Sequence, residues 1–262
     1  MGGLIGQGFI TFFVSAGLLH CPVAVDLHRA DAVLDPRAPT TMISPALAQR
    51  LHLAPHGTVA TTAYGLTAAL PAAGPVTVGI HPASFRLATV AIETPEMERH
   101  APPGAEIVLG ADALAGVMLR LDVGRHRLSS ISSSDAARAT RGATPAALQV
   151  DEAGHLLVSI RIENDPPVLA MLDLGSDTPV TISRAFAAAH GIDVSQPGNA
   201  ATGAGLDYVN NGLDIALDTA HFTPKTVRIS DDSIVSIRLG APVFEDHPII
   251  IDLRTRKVWI VN

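Results

Sequence analysis

The sequence predicts a mostly-β chain built as two homologous lobes, each with one or two short helices. Three observations carry this. The chain repeats itself: Ile107-Val-Leu-Gly-Ala111 returns 130 positions later as Ile237-Arg-Leu-Gly-Ala241, and self-similarity at a fixed spacing marks a duplicated unit. Short runs rich in Val, Ile and Thr alternate with turn residues, among the 22 Gly and 19 Pro of the chain, as short strands do and long helices do not. Finally, 262 residues that are 47% apolar and 16% charged can bury one large core or two small ones, which excludes a disordered chain.

The repeat continues without a gap. Leu114 falls on Phe244, Leu119-Arg-Leu-Asp122 on Ile249-Ile-Ile-Asp252, and Arg127-Leu128 on Lys257-Val258. Upstream, Ala32-Val-Leu-Asp35 corresponds to Ala170-Met-Leu-Asp173, 138 positions on. Both copies then run through a Thr/Pro stretch into Ile-Ser, at Ile43-Ser44 and Ile182-Ser183. The expected lobes are residues 22–132 and 147–262. Their linker is 133–146, overlapping a surface-like stretch rich in Ser, Ala, Arg and Thr that runs from 129 to 144. Residues 1–21 are an apolar leader or a first strand. The 16 uncharged residues 4–19 are too few to span a bilayer, which takes ~20. Val14-Ser15-Ala16 offers a signal-peptidase site, but no Lys or Arg precedes the apolar run. Residues 1–16 thus read as an export signal for a periplasmic or secreted protein, or as a strand over 8–15 in a cytoplasmic one.

Within each lobe the elements follow in the same order. Strand-like runs cover 23–27 and 157–162, and a second apolar run ends in Asp35 or Asp173. Ser44 is a good N-cap with Pro45 at the first helical position, giving a helix over 46–51. Ser183 does the same for 184–190, and Gly191 stands where a terminating glycine belongs. Further strands are expected over 76–80, 85–92, 213–217 and 226–229. Each lobe closes on Leu-Gly, a short helical segment and a hairpin, turning at Asp122-Val-Gly-Arg and Asp252-Leu-Arg-Thr. Asp122 and Asp252 are equivalent, but aspartate at a turn serves local hydrogen bonding.

Composition narrows the chemistry. The net charge is −7, and the only lysines among 18 basic residues are Lys225 and Lys257. With no basic stripe, nucleic acid and anionic membrane surfaces are not expected partners. A single cysteine, Cys21, forbids an internal disulfide and cysteine-rich zinc sites. His52 and His56 are separated by Pro55, which breaks the helix needed to place them on one face. No metal or organic cofactor is expected. No Gly-x-Ser-x-Gly nucleophile elbow occurs.

One constellation remains. Leu34-Asp35-Pro36-Arg37-Ala38-Pro39-Thr40-Thr41-Met42-Ile43-Ser44 and Leu172-Asp173-Leu174-Gly175-Ser176-Asp177-Thr178-Pro179-Val180-Thr181-Ile182-Ser183 resemble the Asp-Thr/Ser-Gly-Ala element of the retropepsin-like aspartic peptidases. The Ile107 to Asp112 segment is similar to the family's second signature. The resemblance covers nearly all of 22–262. It implies two β-barrel lobes related by a pseudo-twofold axis, in the bilobal acid-protease architecture. It also implies a cleft between the lobes and a catalytic dyad of Asp35 and Asp173, with Gly175, Arg37, Thr40 and Ser176 at the supporting motif positions. A flap would fall at Tyr64-Gly65, with its counterpart at Gly203 and Gly205. The implied partner is a peptide or protein substrate, and a monomer suffices because one chain carries both lobes.

Two adjacent carboxylates cannot both ionise cheaply, so they share a proton. One takes a proton from a bound water and the other donates to the substrate carbonyl. The motif departs from this design at three positions. Pro36 and Leu174 stand where a hydroxyl normally bonds across to the other lobe, and Pro36 lacks an amide proton. Arg37 replaces a glycine and is expected to pair with Asp35, leaving it less able to share a proton. Two expectations follow: an aspartic-type endopeptidase, or an inactive homologue that binds peptides.

Overall fold

Strand Leu18–Val25 sends Leu19, Cys21, Val23 and Val25 into the core, while its other face carries buried His20, half-buried Leu18 and Pro22, and exposed Ala24, the period-two alternation of a strand. The computed structural model to which it belongs describes residues 9–15, 17–63, 66–163, 165–192, 206–209, 213–231 and 236–261. Its strands form two curled sheets of fourteen and ten strands among the described residues.

The N-terminal lobe is assembled by a fixed series of pairings. Leu18–Val25 runs antiparallel to His28–Leu34, which runs parallel to Ile107–Leu109. That strand pairs antiparallel with Met42–Ile43, itself parallel to Val90–Ile92, which pairs antiparallel with Leu66–Ala73. The C-terminal lobe repeats the series step for step: Leu156–Ile162, Val168–Asp173, Ile237–Gly240, Val180–Ser183, Thr226–Ser230 and Leu206–Val209. The mixture of parallel and antiparallel neighbours arises because the Leu-Gly strand inserts between two strands that are adjacent in sequence.

A third set of strands joins the lobes. Ile10–Thr11, Arg127–Ile131, Met118–Asp122, Ile249–Asp252, Lys257–Ile260 and Pro145–Val150 lie side by side in that order. Leu119 faces Ile251, Leu121 faces Ile249, and Arg120 faces Ile250. Since Leu119 and Ile249 are repeat equivalents, as are Leu121 and Ile251, each contact is the image of the other. That reciprocity is the signature of a twofold relation, and the axis passes between Arg120 and Ile250. Ile10 against Leu128 and Ala146 against Val258 are likewise equivalent. The repeat therefore reaches upstream to strand Ile10–Thr11, with Phe12 buried just after it.

The two helices that follow Ile-Ser form as their caps dictate. The Ser44 hydroxyl accepts the Leu47 N–H, and the Ser183 hydroxyl the Phe186 N–H, each at 3.1 Å. The helices run Pro45–Arg50 and Arg184–Ala189, and Gly191 follows at a positive φ of 63°. Two expectations are corrected. The run expected as one strand over 85–92 is two, Ala83–Leu87 and Val90–Ile92, because it turns to leave the sheet edge and rejoin beside Met42–Ile43. The strand expected over 23–27 stops at Val25, where Asp26 and Leu27 take positive φ in a tight turn. The expected linker contains helix Ala136–Ala139, and strand Pro145–Val150 begins before its end. No helix of the described residues is long and apolar enough to cross a membrane.

Candidate functional site

Asp35 and Asp173 stand at the ends of equivalent strands, each followed by a tight turn. The Ala38 N–H donates to the Asp35 carbonyl, and the Ser176 N–H to the Asp173 carbonyl. Under each turn lies the glycine of the repeated Leu-Gly. A Cβ on Gly110 would come within 2.6 Å of the Ala38 carbonyl oxygen, and one on Gly240 within 2.0 Å of that of Thr178. Only glycine admits such close backbone approach, which is why this dipeptide survives in both copies. In the N-terminal lobe the turn is pinned further. The Thr41 N–H and hydroxyl both donate to Asp112, at 2.9 and 2.7 Å. The corresponding residues Val180 and Pro242 cannot do this.

The two carboxylates line one cavity of about 140 Å³ between the lobes. Its walls are mostly apolar, with Leu34, Leu172, Leu119 and Ile251 among them, and Arg37, His155 and Gly175 complete its polar edge. Thr40 and Ser176 do not line it. The Thr40 carbonyl accepts from Thr61, and the Ser176 hydroxyl bonds to Thr178 within its own turn. Of the flap residues, Tyr64, Gly65, Gly203 and Gly205 lie outside the described residues. The arms of the first hairpin, Thr58–Ala63 and Leu66–Ala73, are paired from Thr58 against Pro71 to Ala63 against Leu66. Asp122 and Asp252 accept backbone N–H groups within their hairpin turns.

The two halves of the site differ in charge chemistry. Asp35 is buried, and Arg37 closes on it: Nε donates to Oδ1 at 2.9 Å and Nη2 to Oδ2 at 3.4 Å, while the Arg37 backbone N–H donates to Oδ1 at 3.1 Å. The Arg37 side chain is half exposed. Its bond to Asp35 raises the guanidinium pKa further above its ordinary value, as does its nearness to Asp173. Asp173 keeps the equivalent backbone bond, from the Gly175 N–H, but the triplet residue there has no side chain to close on it. Burial pushes the Asp173 carboxyl above its usual range, opposed by Arg238, Arg37, that N–H and His155.

Two features were missed in the sequence. A Cβ on Gly175 would lie 1.9 Å from the Gly17 carbonyl oxygen, and a Cβ on Gly154 would lie 2.8 Å from the Arg37 Cα. Gly17 and Gly154 are repeat equivalents, as are Arg37 and Gly175, so each triplet packs against the glycine hairpin that precedes the other lobe's first strand. The recurrence of Gly17-Leu18-Leu19 in Gly154-His155-Leu156 was the available signal. His155 was also missed. Its Nδ1 lies 2.8 Å from Asp151 Oδ2, which fixes the ring at the cavity edge.

No protein-family model and no curated protein sequence matches the chain. Solved structures do. The basic 7S globulin of soybean aligns over 97% of this chain and 94% of its own, with a TM-score of 0.66 and 11% identity. Conglutin gamma, a basic 7S globulin from lupine seeds, aligns over the same fractions with a TM-score of 0.63 and 11% identity. At this identity the likeness is one of fold. It agrees with the strand pairings above on a mostly-β chain in the two-lobed, pepsin-like architecture.

Proposed function

We propose that this chain is an aspartic-peptidase-like protein that holds extended peptide between its lobes without hydrolysing it. The observation that carries this is the two-point contact of Arg37 on Asp35. A carboxylate that receives a guanidinium on both oxygens has a fixed cation where the dyad needs a mobile proton. Pro36 and Leu174 add to the case, since neither can bond across to the other lobe. Binding survives these losses because an extended peptide pairs with strand edges through its main chain and needs no shared proton. Arg37 has donors left for a peptide carbonyl, and both lobes sit in one chain, so a monomer offers a complete cleft.

One observation favours a second reading, an acid endopeptidase. Asp173 is biased toward its protonated form by burial, and a protonated carboxyl is half of the catalytic arrangement. A mixed peptide library presented from about pH 3 to about pH 7, where carboxylates change charge, separates the two. Retention of peptides without cleavage, lost when the cleft is blocked by a tight peptide, is the expected result. Cleavage that disappears in both Asp35→Asn and Asp173→Asn overturns the binding reading in favour of the enzyme.

A further inference from the structure

The face of the inter-lobe sheet turned away from the aspartates is covered by the segment after Ile131. Ile250, Trp259 and Val261 pack there against Met118, Ile131, Ala139 and Ala143. Beside this apolar patch lies a second cavity of about 600 Å³, within the roughly 300–1,000 Å³ range of small-molecule sites. Three arginines line it: Arg120 from the sheet, at the twofold axis, and Arg138 and Arg141 from the covering segment. One carboxylate lines it, Asp135. Asp135 is already engaged by the Ser132 hydroxyl at 2.7 Å and by Arg138 at 2.8 Å. Among the described residues, the guanidinium groups of Arg120 and Arg141 have no hydrogen-bond or ion-pair partner.

In a chain of net charge −7 there is no shortage of acidic residues, yet among the described residues Asp135 is the one carboxylate that lines the cavity with these guanidinium groups. Arg120 is half-buried, so it has given up part of its hydration without gaining a counter-charge from the described residues. A guanidinium in that position pairs most favourably with a planar or tetrahedral oxyanion, which its forked donors match. The neighbouring walls are aliphatic, from Ile131, Ile260 and Val261.

We propose that this cavity binds a small molecule bearing an oxyanion, a phosphate or a carboxylate, attached to an apolar body. The oxyanion sits between Arg120 and Arg141, and the body lies on the aliphatic wall. The site is separate from the cleft and does not depend on what the cleft does.

Calorimetric titration at low ionic strength with phenyl phosphate, benzoate and inorganic phosphate tests it. Phenyl phosphate or benzoate is expected to bind saturably and more tightly than inorganic phosphate, and the tighter of the two identifies the anion. Either Arg120→Gln or Arg141→Gln weakens that binding about tenfold or more, the worth of one charge-assisted contact, while Arg99→Gln, on a distant exposed turn, leaves it unchanged. Arg141 is exposed, so its substitution keeps the test valid if Arg120→Gln alters folding. The proposal is overturned if none of the three probes binds saturably, or if binding is indifferent to both substitutions.

Discussion

The contact between Arg37 and Asp35 decides what the cleft can do, and its strength can be measured. Asp35 is 4% exposed and Arg37 50% exposed as side chains, so the pair lies between two known limits. Fully exposed ion pairs couple by roughly 0.2–1 kcal/mol, whereas breaking a fully buried one costs about 3–5 kcal/mol. Arg37→Met removes both guanidinium bonds but keeps the backbone N–H on Oδ1. The carboxylate is then buried with one donor instead of three, and a loss of about 1–3 kcal/mol is expected. Asp35→Asn leaves a guanidinium that water still reaches, so its cost is smaller, about 1 kcal/mol. The double variant should fall short of the sum, giving a coupling energy of about 1–2 kcal/mol. Urea denaturation of the four proteins measures it. The single tryptophan, Trp259, lies buried in the sheet shared by both lobes and reports on the inter-lobe region. Coupling within about 0.3 kcal/mol of zero, the limit of additivity for independent sites, would refute the reasoning. The contact with Arg37 would then carry no weight against the dyad, and the peptidase reading would regain its footing.

Two further predictions follow from the same site. Gly175→Ala places a methyl group 1.9 Å from the Gly17 carbonyl oxygen, so backbone of one lobe must retreat from the other. A loss of about 1–3 kcal/mol is expected, against less than ~1 kcal/mol for Gly79→Ala, where the new methyl makes an ordinary 3.5 Å contact; equal urea midpoints for the two would contradict the inter-lobe contact. Asp173, raised above its ordinary 3.8, destabilises the fold at neutral pH, where folded and unfolded chains both carry the ionised group and only the folded one is desolvated. As pH falls through the folded value the native state takes up a proton first, so the penalty fades and is gone below the unfolded value. Asp173→Asn should therefore be more stable than the parent at pH 7 and lose that advantage in acid; an advantage that grows on acidification would contradict the assignment.

Much of the scaffold was legible because duplication gives two independent readings of one pattern. Leu-Gly occurs twice because two turns press on two backbones, and Ile-Ser occurs twice because two helices need the same cap. The same comparison showed that Asp35 and Asp173 are equivalent before anything was known of their positions. What stayed hidden was of a different physical kind. Gly17 and Gly154 act on residues of the other lobe, far away in sequence, and a lone glycine in a turn gives no sign of what it touches. The first strand was ambiguous because an uncharged run of 16 residues suits a leader and a buried strand alike. The split of 85–92 was missed because a bend between sheet partners is set by where the chain must go next, not by the propensity of Ala88 or Thr89.

The equivalence also shows how the site lost its symmetry while the scaffold kept it. The two triplets face the same steric problem, since each packs on a glycine hairpin preceding the other lobe's first strand. At one contact the triplet supplies glycine, Gly175, and the approach is the tighter. At the other the triplet supplies Arg37, and the glycine requirement falls on Gly154 alone, whose Cβ would meet Arg37 at its Cα and Cβ. Once the hairpin glycine relieves the crowding, the triplet position is free to carry a long side chain, and the buried Asp35 beside it favours a cation. Gly154 is thus the residue that makes Arg37 structurally admissible. A chain with Gly154→Ala should expel or tilt the Arg37 turn, lengthening the 2.9 Å contact to Asp35. A crystal structure of that variant with the Arg37–Asp35 pair unmoved would show that the hairpin glycine and the arginine are independent.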